Sequence, residues 1–68
     1  MKLWKYSGTL LSVTGVIHII SFDSMKFDVV TTEGILKIKG TEIALVRYDE
    51  MNKEISINGK IESLEYSE

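Results

Sequence analysis

The segment Thr31-Thr32-Glu33-Gly34-Ile35-Leu36-Lys37-Ile38-Lys39-Gly40 alternates strictly between apolar and charged side chains and is fenced by glycines. A two-residue period is that of a β-strand, with Leu36 and Ile38 on one face and Lys37 and Lys39 on the other. Similar short runs fill most of the chain. They predict strands near residues 2–6, 9–13, 16–21, 26–31, 35–39, 42–48, 54–58 and 60–66. Between them stand turn residues: Gly8, Thr14-Gly15, Asp23-Ser24, Thr32-Glu33-Gly34, and residues 49–53. The Thr32-Glu33-Gly34 link is short enough for a hairpin with glycine at positive φ, and Asn52 is the expected left-handed residue of the following turn. A helical turn competes only at 49–53, because β-branched residues dominate elsewhere. The pattern predicts an all-β fold, a small sandwich or roll of about seven to eight short, mostly antiparallel strands.

Two of these runs differ from the amphipathic strand at 35–39. Val16-Ile17-His18-Ile19-Ile20 and Ile43-Ala44-Leu45-Val46 carry apolar residues on both faces. A strand in a two-layer fold has one covered face, so the second is covered either by neighbouring loops or by another subunit. Val16, Ile17, Ile19, Ile43 and Val46 are therefore the candidate interaction surface. Near the C-terminus Ile55, Ile57 and Ile61 share one parity and Leu64 and Tyr66 the other, so a β-bulge near Glu62-Ser63 is expected to restore the register.

Size limits how such a chain is stabilised. Its 68 residues make a single domain, 1–68, that hides only about 60 % of the surface of its unfolded form. There is no cysteine and one histidine, which leaves oligomerisation as the remaining staple. The N-terminus lacks the apolar stretch of a signal peptide and no window resembles a membrane span, so a cytoplasmic location is expected. Residues 1–48 carry six basic and four acidic side chains, and residues 49–68 two and six. An acidic end argues against nucleic acid as the partner.

Candidate chemistry is sparse. His18 has no second imidazole or thiol to share a metal, and no G-x-S-x-G elbow presents a serine to it. The adjacent carboxylates Asp49 and Glu50 read as solvated turn residues. The five glycines match no phosphate-binding spacing. No enzymatic activity and no cofactor are expected. A basic strand face at Lys37 and Lys39, with the chain's aromatic rings, supplies the alternative of a small β-barrel binding single-stranded nucleic acid, which would need exposed stacking rings.

Thr14-Gly15-Val16, Ser21-Phe22-Asp23, Thr31 followed by Gly34-Ile35-Leu36-Lys37-Ile38-Lys39-Gly40, and Gly59-Lys60-Ile61-Glu62-Ser63-Leu64-Glu65-Tyr66, in this order and spacing, resemble the YabP/YqfC family of sporulation proteins. The resemblance runs from about Leu10 to the C-terminus. It implies a non-enzymatic protein of endospore formation, made in the mother cell and acting in spore envelope or coat morphogenesis; recruitment to the forespore surface is a further expectation. Its implied partners are other sporulation or spore-envelope proteins, with a homo-oligomer as a further expectation. Within the matching motifs Gly15, Gly34, Gly40 and Gly59 read as bends, and Phe22, Leu36, Ile38, Ile61 and Leu64 as core.

Overall fold

The computed structural model describes residues 4–67; the first two residues of the expected strand 2–6 lie outside them. Six strands follow one another: β1 (Trp4–Ser7), β2 (Leu10–Thr14), β3 (Val16–Phe22), β4 (Lys26–Thr31), β5 (Gly34–Asp49) and β6 (Glu54–Ser67). They form one antiparallel sheet in the order β1-β2-β6-β5-β4-β3. Each expected strand overlaps one of these strand segments. The stretches expected at 35–39 and 42–48 are continuous in β5, and those at 54–58 and 60–66 are continuous in β6.

Length forces these two strands to bend. Sixteen residues of β5 would reach about 53 Å if straight, yet the longest dimension of the molecule is 25 Å. The hairpin β5–β6 therefore folds over at its middle, and the sheet closes on itself as a roll with two leaves. The first leaf contains β3, β4, residues 34–39 of β5 and 60–67 of β6; the second contains β1, β2, residues 54–58 of β6 and 44–49 of β5. Each leaf is thus a separate hairpin laid against half of the long one.

The bend sits at Gly40 and Gly59. A Cβ on Gly40 would overlap the carbonyl oxygen of Lys60, and one on Gly59 would stand 2.9 Å from the carbonyl oxygen of Glu42. The two positions are matched in their bonding. Gly59 N–H donates to Thr9 O in the turn between β1 and β2, and Gly40 N–H donates to Met25 O in the turn between β3 and β4, both at 2.9 Å.

Alternation delivers the core from both leaves. Leu11, Val13, Ile55 and Ile57 from the second leaf meet Val16, Phe27, Val29, Leu36 and Ile38 from the first, with Ile43 beside the bend, in one buried cluster. Ile61 and Leu64 pack against it partly buried. Phe22, expected in the core, is 52 % exposed; it stacks on Phe27 at 4.9 Å between ring centroids and forms a lid rather than a filling.

The turns follow local chemistry. Thr31, 3 % exposed, closes the β4–β5 hairpin with its hydroxyl, which donates to Gly34 O at 2.7 Å and accepts from Glu33 N–H at 3.1 Å. Gly34 takes φ 124, as its place in this short link required. In the β5–β6 turn the left-handed residue is Lys53, φ 56, not Asn52. Asn52 instead donates its backbone N–H and its side-chain amide to the Asp49 carboxylate at 3.1 and 2.8 Å. A four-residue loop of this kind places positive φ at its last residue, whichever residue stands there.

Candidate interaction surface

The register shifts decide which side chains face outward. Opposite β4, Val16 pairs with Thr31, His18 with Val30, Ile19 with Val29, Ser21 with Asp28 and Phe22 with Phe27. Ile17 and Ile20 are therefore extra residues, each a β-bulge. Two bulges turn the two-residue period of β3 into a three-residue one. Val16, Ile19 and Phe22 face the interior, while Ile17, His18, Ile20 and Ser21 face solvent. The run that reads as apolar on both faces is a strand whose inward set comes every third residue.

The same device recurs in β5 and β6. Leu45 pairs with Ile57 and Arg47 with Ser56, which leaves Val46 as the extra residue beside Arg47. Lys39 pairs with Ser63 and Gly40 with Ile61, so Glu62 is extra. That is the bulge expected near Glu62-Ser63, and it lets Leu64 return to the core.

The five candidate residues consequently do not form one surface. Val16 and Ile43 are 1 % and 6 % exposed and belong to the core, and Ile19 is packed against it. These three are corrected from surface to interior, because the bulges and the bend carry them inward. Ile17 and Val46 remain outside, 53 % and 59 % exposed, on different leaves.

Around Ile17 the register assembles a row absent from the sequence reading. His18, Val30 and Ile35 are successive cross-strand partners on the outer face of the first leaf, with Ile17 beside His18 and Ile20 one step along the strand. Val30 and Ile35 are half-buried and the β3 residues exposed. The next row is Ser21, Asp28, Lys37 and Glu65. A smaller patch surrounds Val46 on the second leaf, where Leu10, Asn58 and Ala44 stand in register and Leu10 is 43 % exposed. Only the three-residue period of β3 could have announced the first row.

Lys37 lies between Asp28 and Glu65, and Lys39 between Lys26 and Ser63. Glu62 joins Lys26 and Lys39 in lining a shallow cleft of about 310 Å³. Lys37 is thus flanked by carboxylates, whereas Lys39 faces Lys26 with Glu62 lining the same cleft. The rings are scattered: Trp4 and Tyr6 on β1, Tyr48 on β5, Tyr66 on β6, and Phe22 against Phe27.

Charge is otherwise local to turns. The backbone N–H groups of Met25 and Lys26 donate to Asp23 at 2.7 and 2.9 Å and hold its carboxyl below the ordinary 3.8. Asp49 is lowered likewise by the backbone and side-chain amides of Asn52. Burial, then the charge of Glu33, pushes the Tyr66 hydroxyl up. Among the described residues no group of three or more His, Cys, Asp or Glu could hold a metal ion, and no helix is long and apolar enough to cross a membrane.

A bulged all-β roll that exposes an apolar row on one leaf belongs structurally with small β modules. The YabP family model matches residues 8–68, and the chain belongs to that family. Membership fits a sporulation-related protein. No curated protein matches the chain.

Proposed function

We propose that this chain is a non-enzymatic interaction module of endospore formation, made in the mother cell and recruited to the forespore surface during envelope or coat morphogenesis. The observation that carries the docking part of this reading is the outer row of the first leaf, where Ile17 and Ile20 stand exposed beside Val30 and Ile35. Isoleucines spent on solvent gain nothing for the fold, whereas on a partner they supply buried apolar area. Docking by this face is favoured over strand addition at the β3 edge. Two bulges break the even row of N–H and C=O groups that an added strand would need. Family membership supplies the sporulation setting.

The test is fluorescence imaging of a tagged copy under its own promoter through sporulation, beside the double variant Ile17→Lys, Ile20→Lys. The wild-type signal is expected in the mother cell, gathered round the forespore, and the variant is expected to be diffuse at equal abundance. Unchanged gathering of a folded variant would refute the docking face. Diffuse wild-type signal in vegetative cells would refute the morphogenetic role and bring oligonucleotide binding forward.

A further inference from the structure

Between β2 and β3 the chain passes from one leaf to the other in a single residue. Thr14 ends β2 in the second leaf and Val16 begins β3 in the first, with Gly15 alone between them at φ 70. The corner is pinned by two backbone bonds of 2.9 Å, from Thr32 N–H to Gly15 O and from Val16 N–H to Lys53 O. Among the described residues, those N-terminal to it form the β1–β2 hairpin, whose ladder to the rest of the sheet is residues 10–14 of β2 against 54–58 of β6, joined by the bond from Gly59 N–H to Thr9 O and by the Tyr6 hydroxyl on Gly59 O and Ile61 N–H. Leu11 and Val13, fully buried, come with it.

We propose that Gly15 is the hinge of a strand exchange, and that the surface it uncovers on β6 takes the β1–β2 hairpin of a second copy of this chain. If Gly15 leaves the left-handed region for an extended conformation, β2 and β3 run on as one strand of thirteen positions, 10–22. The hairpin then projects away from its own leaf. The partner's β6 offers the same ladder, with Ile55 and Ile57 ready to cover Leu11 and Val13. Exchange therefore breaks the corner bonds, remakes the β2–β6 ladder on the partner copy, and gains whatever new contact the joined strands make. The occupant is a second copy because no other chain presents this register by construction. A one-residue connection cannot be relaxed except by opening, the condition under which short hinges favour exchange. A reciprocal exchange gives a closed dimer, and a head-to-tail one gives an open chain of copies. This inference is independent of the sporulation role.

The full chain is refolded from urea over a range of concentrations up to about 1 mM, since exchange obeys mass action, and is sized by light scattering after gel filtration. Wild type is expected to give a dimer fraction that grows with refolding concentration, keeps native far-ultraviolet circular dichroism, and persists on dilution. Gly15→Val, a β-branched residue that resists positive φ, is expected to make the dimer the major species. Gly15→Asn, which tolerates the left-handed region, is expected to behave like wild type. Inserting two glycines after Gly15 is expected to suppress the dimer, and serves if the valine variant does not fold. Wild type that stays monomeric at every concentration would overturn the proposal. So would a dimer that is unaffected by the insertion, or equal amounts of dimer from the valine and asparagine variants.

Discussion

Gly40→Ala places one methyl group where there is no room for it. The alanine Cβ would collide with Lys60 O, with Lys60 C and Ile61 Cα also within about 3 Å. All three atoms are backbone, so no side chain can swing aside and the bend itself must open. Inserting a methylene into a packed core costs about 1–3 kcal/mol when side chains absorb it, and a clash of main chain on main chain belongs at the upper end, about 3 kcal/mol. The Gly40 N–H bond to Met25 O goes with it. A chain of 68 residues has a total stability of only ~3–10 kcal/mol at the usual ~0.05–0.15 per residue. The change therefore removes about 30 % of it or more. With a urea slope of about 1 kcal/mol/M, the midpoint followed by circular dichroism should fall by about 3 M. Gly8→Ala is the control. It has φ 64 but nothing within 4 Å of the new Cβ, so it should cost only the left-handed penalty of about 1–2 kcal/mol. A Gly40→Ala midpoint at or above that of Gly8→Ala would refute the claim that close approach at the bend shapes the roll.

Three further outcomes follow from single groups. Thr31→Val keeps the shape but strips the hydroxyl from Gly34 O and Glu33 N–H, and should cost about 1–3 kcal/mol by urea titration; a neutral result would mean that water replaces it. Tyr6→Phe removes a hydroxyl that donates to Gly59 O at 3.1 Å and accepts from Ile61 N–H at 3.2 Å, and should cost about 1 kcal/mol, measured the same way. Asp23 and Asp49 sit below the ordinary 3.8 in the folded chain and return to it on unfolding. Between the folded and unfolded values the unfolded chain binds more protons, so this stabilisation is whole well above 3.8 and is lost as pH falls through the folded values. Urea midpoints between pH 7 and 2 should show that loss, and the double variant Asp23→Asn, Asp49→Asn should flatten it; an unaltered slope would count against the turn carboxylates.

Where side chains alternate, local pattern and structure agree. The strand at 35–39, the Thr32-Glu33-Gly34 turn and the bulge at Glu62 were all legible, because each depends on residues within a few positions of one another. The continuity of β5 and β6 was not. Gly40 and Gly59 read as bends between separate short strands, and only the opposing backbone reveals that they let two long strands fold together. The candidate surface suffered most. Val16 and Ile43 look the same in sequence as Ile17 and Val46, and the pairing register alone separates interior from exterior. Phe22 was misplaced for a related reason: it points inward at the end of an edge strand, where half of its ring has no neighbour to cover it.

The two hairpins joined to the long one differ greatly in how far apart along the chain their partners lie. Lys26 meets Lys39 across thirteen positions, whereas Leu10 meets Asn58 across forty-eight. Closing the longer loop costs more chain entropy before any contact rewards it. The β3–β4–β5 meander should therefore be in place first, with β1–β2 the last piece to dock and the first to detach. Backbone amide hydrogens that bond across the β2–β6 ladder should accordingly exchange with solvent faster than those across the β4–β5 ladder. Such an ordering leaves the newly made chain, for a time, as a half-closed roll with Ile55 and Ile57 uncovered, and crowding at that moment decides whether it finishes alone or in company.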